Sequence, residues 1–222
     1  MKMRLAVLAA VALALPVAVA GAAIDVEVVV DYDLAAGEQP EGLAVDKRGD
    51  VYVSLAPLGE IRKIGRDGSE TTLATVAPPG TGNGPLGLAV DAPGNVYAAV
   101  ATFDATSGVY KIARDGSFTR LPGTEEIVFP NGVTFDKRGN LYVTDTILGA
   151  VWRVPASGEQ AELWLQSPLL LGDGSFGFGV PLGANGIAFR QNELVVGNTE
   201  FGRLVRIEIG RASCRERVWI PV

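Results

Sequence analysis

Histidine is absent from all 222 residues. That absence removes Ser-His-Asp and Cys-His catalysis, hydrolysis by a histidine pair and most zinc sites. Cysteine occurs once, at Cys214, in a C-terminal string unlike the rest, so it says nothing about redox compartment. Basic residues number 19 against 25 acidic ones, for a net charge of −6. This balance argues against nucleic acid or an anionic membrane surface as partner. Past the N-terminus, no stretch carries helical periodicity over a helix-forming length. Only one long apolar run is present, over 5–17, behind Lys2 and Arg4 and ahead of the small residues Ala18, Ala20, Gly21 and Ala22. It is too short and alanine-rich for a permanent span and reads as a cleaved export signal over 1–23. The mature chain is then expected to be secreted or periplasmic, with no membrane span.

What the chain does contain is glycine (28), proline (13) and short β-branched runs within a 48% hydrophobic composition. Its dominant feature is a repeated phrase. Glu41-Gly42-Leu43-Ala44-Val45-Asp46 returns as Leu86-Gly87-Leu88-Ala89-Val90-Asp91, as Asn131-Gly132-Val133-Thr134-Phe135-Asp136 and, more loosely, as Asn185-Gly186-Ile187-Ala188-Phe189-Arg190. The glycine recurs after 45, 45 and 54 residues. A period of this size marks a stacked or radial repeat.

Each copy reads as four antiparallel strands. An apolar strand follows the glycine, then a turn such as Asp136-Lys137-Arg138-Gly139, whose Asp bonds nearby N–H groups and whose Gly supplies positive φ. A second strand (Leu141-Tyr142-Val143-Thr144), an alternating third (Gly149-Ala150-Val151-Trp152) and a last (Ala161-Glu162-Leu163-Trp164) complete the unit. Four such strands in about 45 residues are a β-propeller blade. The expected body is 24–207, with residues 24–32 as an outer strand that closes a ring. The string 208–222 lacks this grammar, resembles a translated sequencing-library adapter and is set aside as non-native. Four copies start and the fourth runs out in its third strand. A six-bladed ring would therefore need two further blades, roughly 90 residues at this period.

The residue before each glycine varies: Glu41, Leu86, Asn131, Asn185. If the following strand is innermost, these positions meet at one mouth of the central channel. Glu41, Asn131 and Asn185 are hard oxygen donors, suited to a divalent cation of calcium type. The competing role is plain turn chemistry at Asn-Gly and Glu-Gly. A Gly-x-Gly-x-x-Gly match at 172–177 lacks the flanking strand and helix that nucleotide binding needs. It falls in an insertion, 169–184, expected to be a loop with Phe176 and Phe178 over the mouth or against a neighbouring blade.

Phe129-Pro130-Asn131-Gly132-Val133-Thr134-Phe135-Asp136, with Asn140-Leu141-Tyr142-Val143-Thr144-Asp145-Thr146, resembles the senescence-marker-protein / gluconolactonase / LRE-like family. The resemblance spans about 39–207 and is shared in part with NHL-type propellers. It implies a six-bladed propeller, monomeric at full length, with a divalent cation at the channel mouth and hydrolysis of small lactones or related esters. It matches Glu41 and Asn131 to cation ligands; the family's Asp-Gly ligand has Asn185-Gly186 as its nearest equivalent. A carboxylate is then needed to take a proton, with Asp145 and Asp173 as candidates, although Asp145 equally suits a turn cap. The alternative is a non-catalytic propeller that binds a protein or carbohydrate.

Overall fold

The computed structural model describes residues 26–80 and 83–210, and the backbone of 216–219. The expected export segment lies outside the described residues, as do 211–215 and 220–222 of the tail. Residues 26–30, the described part of a first unit that ends at Val30, are exposed apart from a half-buried Val30 and without strand structure. The outer strand expected over 24–32 is therefore not formed among the described residues. Val26, Val28 and Val29 are largely exposed, so the alternation there has no sheet to bury it.

From Asp31 onward the described residues form sixteen strands in four antiparallel sheets, each in chain order. Blade one holds β1 (Pro40–Val45), β2 (Val51–Leu55), β3 (Glu60–Ile64) and β4 (Glu70–Thr75). Blade two holds β5 (Pro85–Val90), β6 (Val96–Val100), β7 (Gly108–Ile112) and β8 (Phe118–Arg120). Blade three holds β9 (Pro130–Phe135), β10 (Leu141–Asp145), β11 (Ala150–Val154) and β12 (Glu162–Gln166). Blade four holds β13 (Ala184–Arg190), β14 (Glu193–Asn198), β15 (Arg203–Glu208) and β16 (Glu216–Trp219). This is the expected all-β propeller architecture, four blades of it. Strand β15 runs one residue past the boundary set at 207, and backbone from the tail supplies the fourth strand of the last blade.

The turns form for the expected reason. Asp46 Oδ1 accepts the N–H groups of Arg48 and Asp50, and Asp136 Oδ1 those of Arg138 and Asn140. Gly139 closes its turn at φ 85°. The Tyr52, Tyr97 and Tyr142 hydroxyls donate to the turn aspartates Asp46, Asp91 and Asp136 of their own blades. Burial, then the Asp136 charge, pushes the Tyr142 hydroxyl up to about 12.

The inner strands β1, β5, β9 and β13 lie side by side in that order. Three apolar clusters weld the blades. Tyr52 and Ile61 meet Leu88 and Ala98; Ala99 and Val109 meet Val133, Val143 and Trp152; Tyr142 and Val151 meet Val196 and Val205. Trp152 is interblade core, and Trp164 packs edge-on against Tyr142 at 5.1 Å.

Candidate functional site at the channel

In every blade the innermost strand bulges at the residue–glycine pair. Pro40 pairs with Leu55 and Leu43 with Val53, so Glu41 and Gly42 together oppose Ser54. The same two-against-one arrangement sets Leu86–Gly87 against Ala99, Asn131–Gly132 against Thr144 and Asn185–Gly186 against Gly197. A bulge breaks the alternation of side chains and re-aims the extra residue. Periodicity alone could not reveal this.

Hydroxyls pin two of the bulges. Ser54 Oγ accepts the Gly42 N–H at 2.7 Å and donates to the Leu86 carbonyl of the next blade at 2.6 Å. Thr144 Oγ1 accepts the Gly132 N–H at 2.8 Å and donates to the Asn185 carbonyl at 2.6 Å. Both hydroxyls are fully buried. They occupy the same repeat position, a signal present in the sequence once the register is known.

The close approach also explains the repeated glycine. A Cβ at Gly42 would sit 2.0 Å from the Leu86 carbonyl oxygen, at Gly87 2.4 Å from that of Asn131, and at Gly132 2.6 Å from that of Asn185. Each is far inside van der Waals contact, so the next blade's backbone excludes any side chain there. At Gly186 a Cβ would meet no described atom within 4 Å.

The bulges bring Glu41, Asn131 and Asn185 to one cavity of about 270 Å³ along the inner strands, with Gly42, Gly87, Gly132 and Gly186 in its wall. Leu86 is buried instead in a cluster with Ala56 and Ala101. The Glu41 carboxylate is exposed and forms no ion pair among the described residues. Asn131 is only 8% exposed, yet its carboxamide bonds to no described residue. Its polar atoms are not among the enclosed, unpartnered ones of the described residues, so they stay within reach of water in the cavity they line. Asn185 donates Nδ2–H to Thr199 Oγ1 at 3.0 Å, which leaves its Oδ1 as the free group. One carboxylate and two amide oxygens from three blades thus share the cavity. Among the described residues no group of three or more His, Cys, Asp or Glu side chains that could hold a metal ion forms, at this cavity or elsewhere.

Asp145 and Asp173 do not line this cavity. Asp145 is fully buried, and its carboxylate accepts the N–H groups of Val128 (2.9 Å), Phe129 (3.3 Å) and Leu148 (3.1 Å). With three donors on two oxygens it clamps the loop entering β9, the cap role weighed for it. Asp173 is exposed and accepts the Ser175 N–H at 3.0 Å, the geometry of Asp67 with Ser69 and Asp115 with Ser117. The Asp-Gly-Ser triplet is a turn used three times. The Ser175 hydroxyl, then its N–H, holds the Asp173 carboxyl below the usual range.

Glu200 was not visible as a site residue. Its carboxylate accepts N–H groups from Asp173 (2.7 Å), Gly174 (3.0 Å), Phe176 (3.0 Å) and Leu182 (3.2 Å). The Phe176 N–H foremost among them lowers its pKa. The glycine-rich string is therefore an anion nest filled by the protein's own carboxylate. Glu200 holds the insertion at the end of the strands where Asn185 lies. Phe176 and Phe178, 53% and 72% exposed, pack edge-on to each other at 6.4 Å rather than on a blade.

No family model and no curated protein sequence matches this chain. Solved structures do match in fold. They include a streptogramin B lyase (TM-score 0.64, 17% identity), covering 82% of this chain and 55% of that one. A virginiamycin B lyase from Staphylococcus aureus, a catalytically inactive histidine-to-alanine variant with quinupristin, matches at TM-score 0.62 and 18% identity, covering 84% and 57%. A gluconolactonase from Xanthomonas campestris matches at 0.63 and 18%, covering 82% and 63%. The chain thus spans a little over half the length of these β-propellers. At such identity the likeness establishes the fold.

Proposed function

We propose that these blades belong to an exported hydrolase of lactones or related esters, with a small-molecule site in the channel and a bound calcium-type cation. The carrying observation is the convergence of Glu41, Asn131 and Asn185 on one cavity, with the Asn131 carboxamide bonded to no described residue. All three offer hard oxygens, the chemistry such a cation takes. When bound, the cation would supply Lewis-acid polarisation of a carbonyl and a more acidic water. Thr199 aims the Asn185 oxygen, and the Ser54 and Thr144 bonds hold the bulges that present Glu41 and Asn131. Among the described residues Glu41 is the only carboxylate lining the cavity, so it is the one group there able to receive a proton from water. Export is supported by the N-terminal pattern over 1–23; among the described residues no helix is long and apolar enough to cross a membrane.

Equilibrium dialysis against calcium tests the site. The chain is expected to retain the ion and Asn131→Ala to lose it at least about tenfold. No retention, or retention indifferent to Asn131→Ala and Glu41→Ala, removes the cation. Lactone turnover that survives chelation would leave the fold but sink the mechanism. Binding without catalysis is favoured by one observation, the exposed Phe176–Phe178 pair on a loop that Glu200 holds through backbone N–H groups. Calcium retention with no turnover of any lactone would select it.

A further inference from the structure

Blade two stands apart at the channel. Blades one, three and four each offer a side-chain oxygen to the cavity from the residue before the glycine. Blade two offers none, because Leu86 turns into the cluster with Ala56 and Ala101. Phe129, two residues ahead of Asn131, packs against that same cluster. The loop between β6 and β7 begins beside it: Val100 pairs with Pro85, and the Ala101 N–H bonds to the Gly84 carbonyl at 3.0 Å. On this loop Phe103 is 53% exposed, with its ring 5.0 Å from that of Phe129. Blades one and three pack on the two faces of blade two, so no neighbouring blade is lacking there.

Phe103 sits at φ 58°, a left-handed backbone that a bulky side chain rarely adopts. The loop enforces it. Asp104 Oδ1 accepts the Thr102 hydroxyl at 2.9 Å and the Thr106 N–H and hydroxyl at 2.7 and 2.6 Å, which brackets the residue. Ser107 donates to the Val100 carbonyl (3.1 Å), Tyr110 to that of Thr106 (2.8 Å) and Arg120 to that of Ala105 (2.6 Å). Phe129 is held as firmly, since Asp145 accepts its N–H and the Thr146 N–H bonds to its carbonyl at 3.0 Å. Strained backbone under a large exposed ring is a cost that folding alone does not call for, and such strain gathers at ligand sites.

We propose that Phe103, backed by Phe129, is a specificity-determining residue that receives the apolar chain of the cavity's small-molecule ligand. This rests on the reading of that cavity as a lactone or ester site and narrows its substrate class to alkyl- or aryl-substituted compounds. The ring or ester group lies among the oxygens of Glu41, Asn131 and Asn185, and the chain runs over the two phenyl rings beside Leu86. Leu86, Phe129 and Phe103 have no side-chain hydrogen bond to give a polyhydroxylated lactone, whose hydroxyls would be left unpaired there.

Isothermal titration calorimetry of the purified chain with 2-alkylcyclopentanones, non-hydrolysable counterparts of γ-lactones, with side chains from methyl to hexyl tests this. Affinity is expected to rise about two- to fourfold per added methylene. Phe103→Ala should flatten that rise and weaken the hexyl probe about tenfold, with calcium retention unchanged. Phe103→Gly, which takes φ 58° freely, should fold and lose the same affinity. Affinity indifferent to chain length, a hexyl probe that does not bind, or binding untouched by both variants would each overturn the proposal. The hydrolase reading fails separately. A chain that grips the hexyl probe through Phe103 yet turns over no lactone keeps this site and loses the reaction; lactone turnover with flat chain dependence does the reverse.

Discussion

In blade three, Thr144 ties the Gly132 N–H to the Asn185 carbonyl, and the adjacent Asp145 accepts three backbone N–H groups from its incoming loop. In blade four the same two places hold Gly197 and Asn198. No hydroxyl crosses there, and Asn198 instead donates to the carbonyls of Leu169 and Leu171 while accepting the Phe201 N–H. The turn differs as well: Asp136 through Asn140 is replaced by Gln191 and Asn192 at positive φ, and the tyrosine of the second strand by Val195. The difference teaches which repeated residues answer to the blade itself and which to its neighbour. The bulge survives in both blades, so it belongs to the hairpin. The hydroxyl bridge and the spatial need for glycine appear only where another blade presses close.

That contrast can be broken most severely at the glycines. Gly132→Ala forces a methyl to 2.6 Å from the Asn185 carbonyl and is expected to cost about 3 kcal/mol. Gly186→Ala in the monomeric chain should stay within about 0.5 kcal/mol. Urea-unfolding midpoints compare the two, and equal losses would dismiss the neighbour-carbonyl explanation.

The loop clamps allow a subtler exchange. Asn198→Asp would set a buried carboxylate against two carbonyl oxygens and is expected to lose about 2 kcal/mol. Asp145→Asn, which keeps one carbonyl oxygen for three donors but adds a donor, should lose about 1–2 kcal/mol. Thermal melts read both. A neutral Asn198→Asp would show that polarity at this position is indifferent.

The smallest global effect belongs to Glu200. Its pKa is lower folded than unfolded, so the order it lends the loop is complete above the usual glutamate range and is lost as pH falls through the folded value. Protection of the amides over 169–183, relative to intrinsic exchange at the same pH, should therefore fall once the pH drops below the usual glutamate range, and in Glu200→Gln already at neutral pH. Protection that ignores both acid and substitution would show the loop to be held by something else.

Much of this molecule was legible in its chain. The 45-residue period, the Asp-x-x-Gly turns and the alternation of each strand are local, and they led to four blades with strands close to where they form. Glu41, Asn131 and Asn185 could be grouped because radial repetition gathers equivalent positions. Asp145 and Asp173 were less tractable. An aspartate after a strand reads alike whether it faces a cavity or a ring of backbone N–H groups, and only packing tells which. The described part of the segment 24–32, residues 26–32, alternates without forming a strand, since alternation needs a partner edge to become a sheet.

By itself, then, the sequence determined the repeat and the hairpins, because each depends on neighbours within a few residues. Tertiary structure alone decided the bulge that turns three side chains into the channel, the carbonyls that enforce glycine, and the engagement of Glu200 with the glycine-rich loop. These depend on backbone groups of one segment meeting another far along the chain, and such meetings leave no periodic mark in the letters.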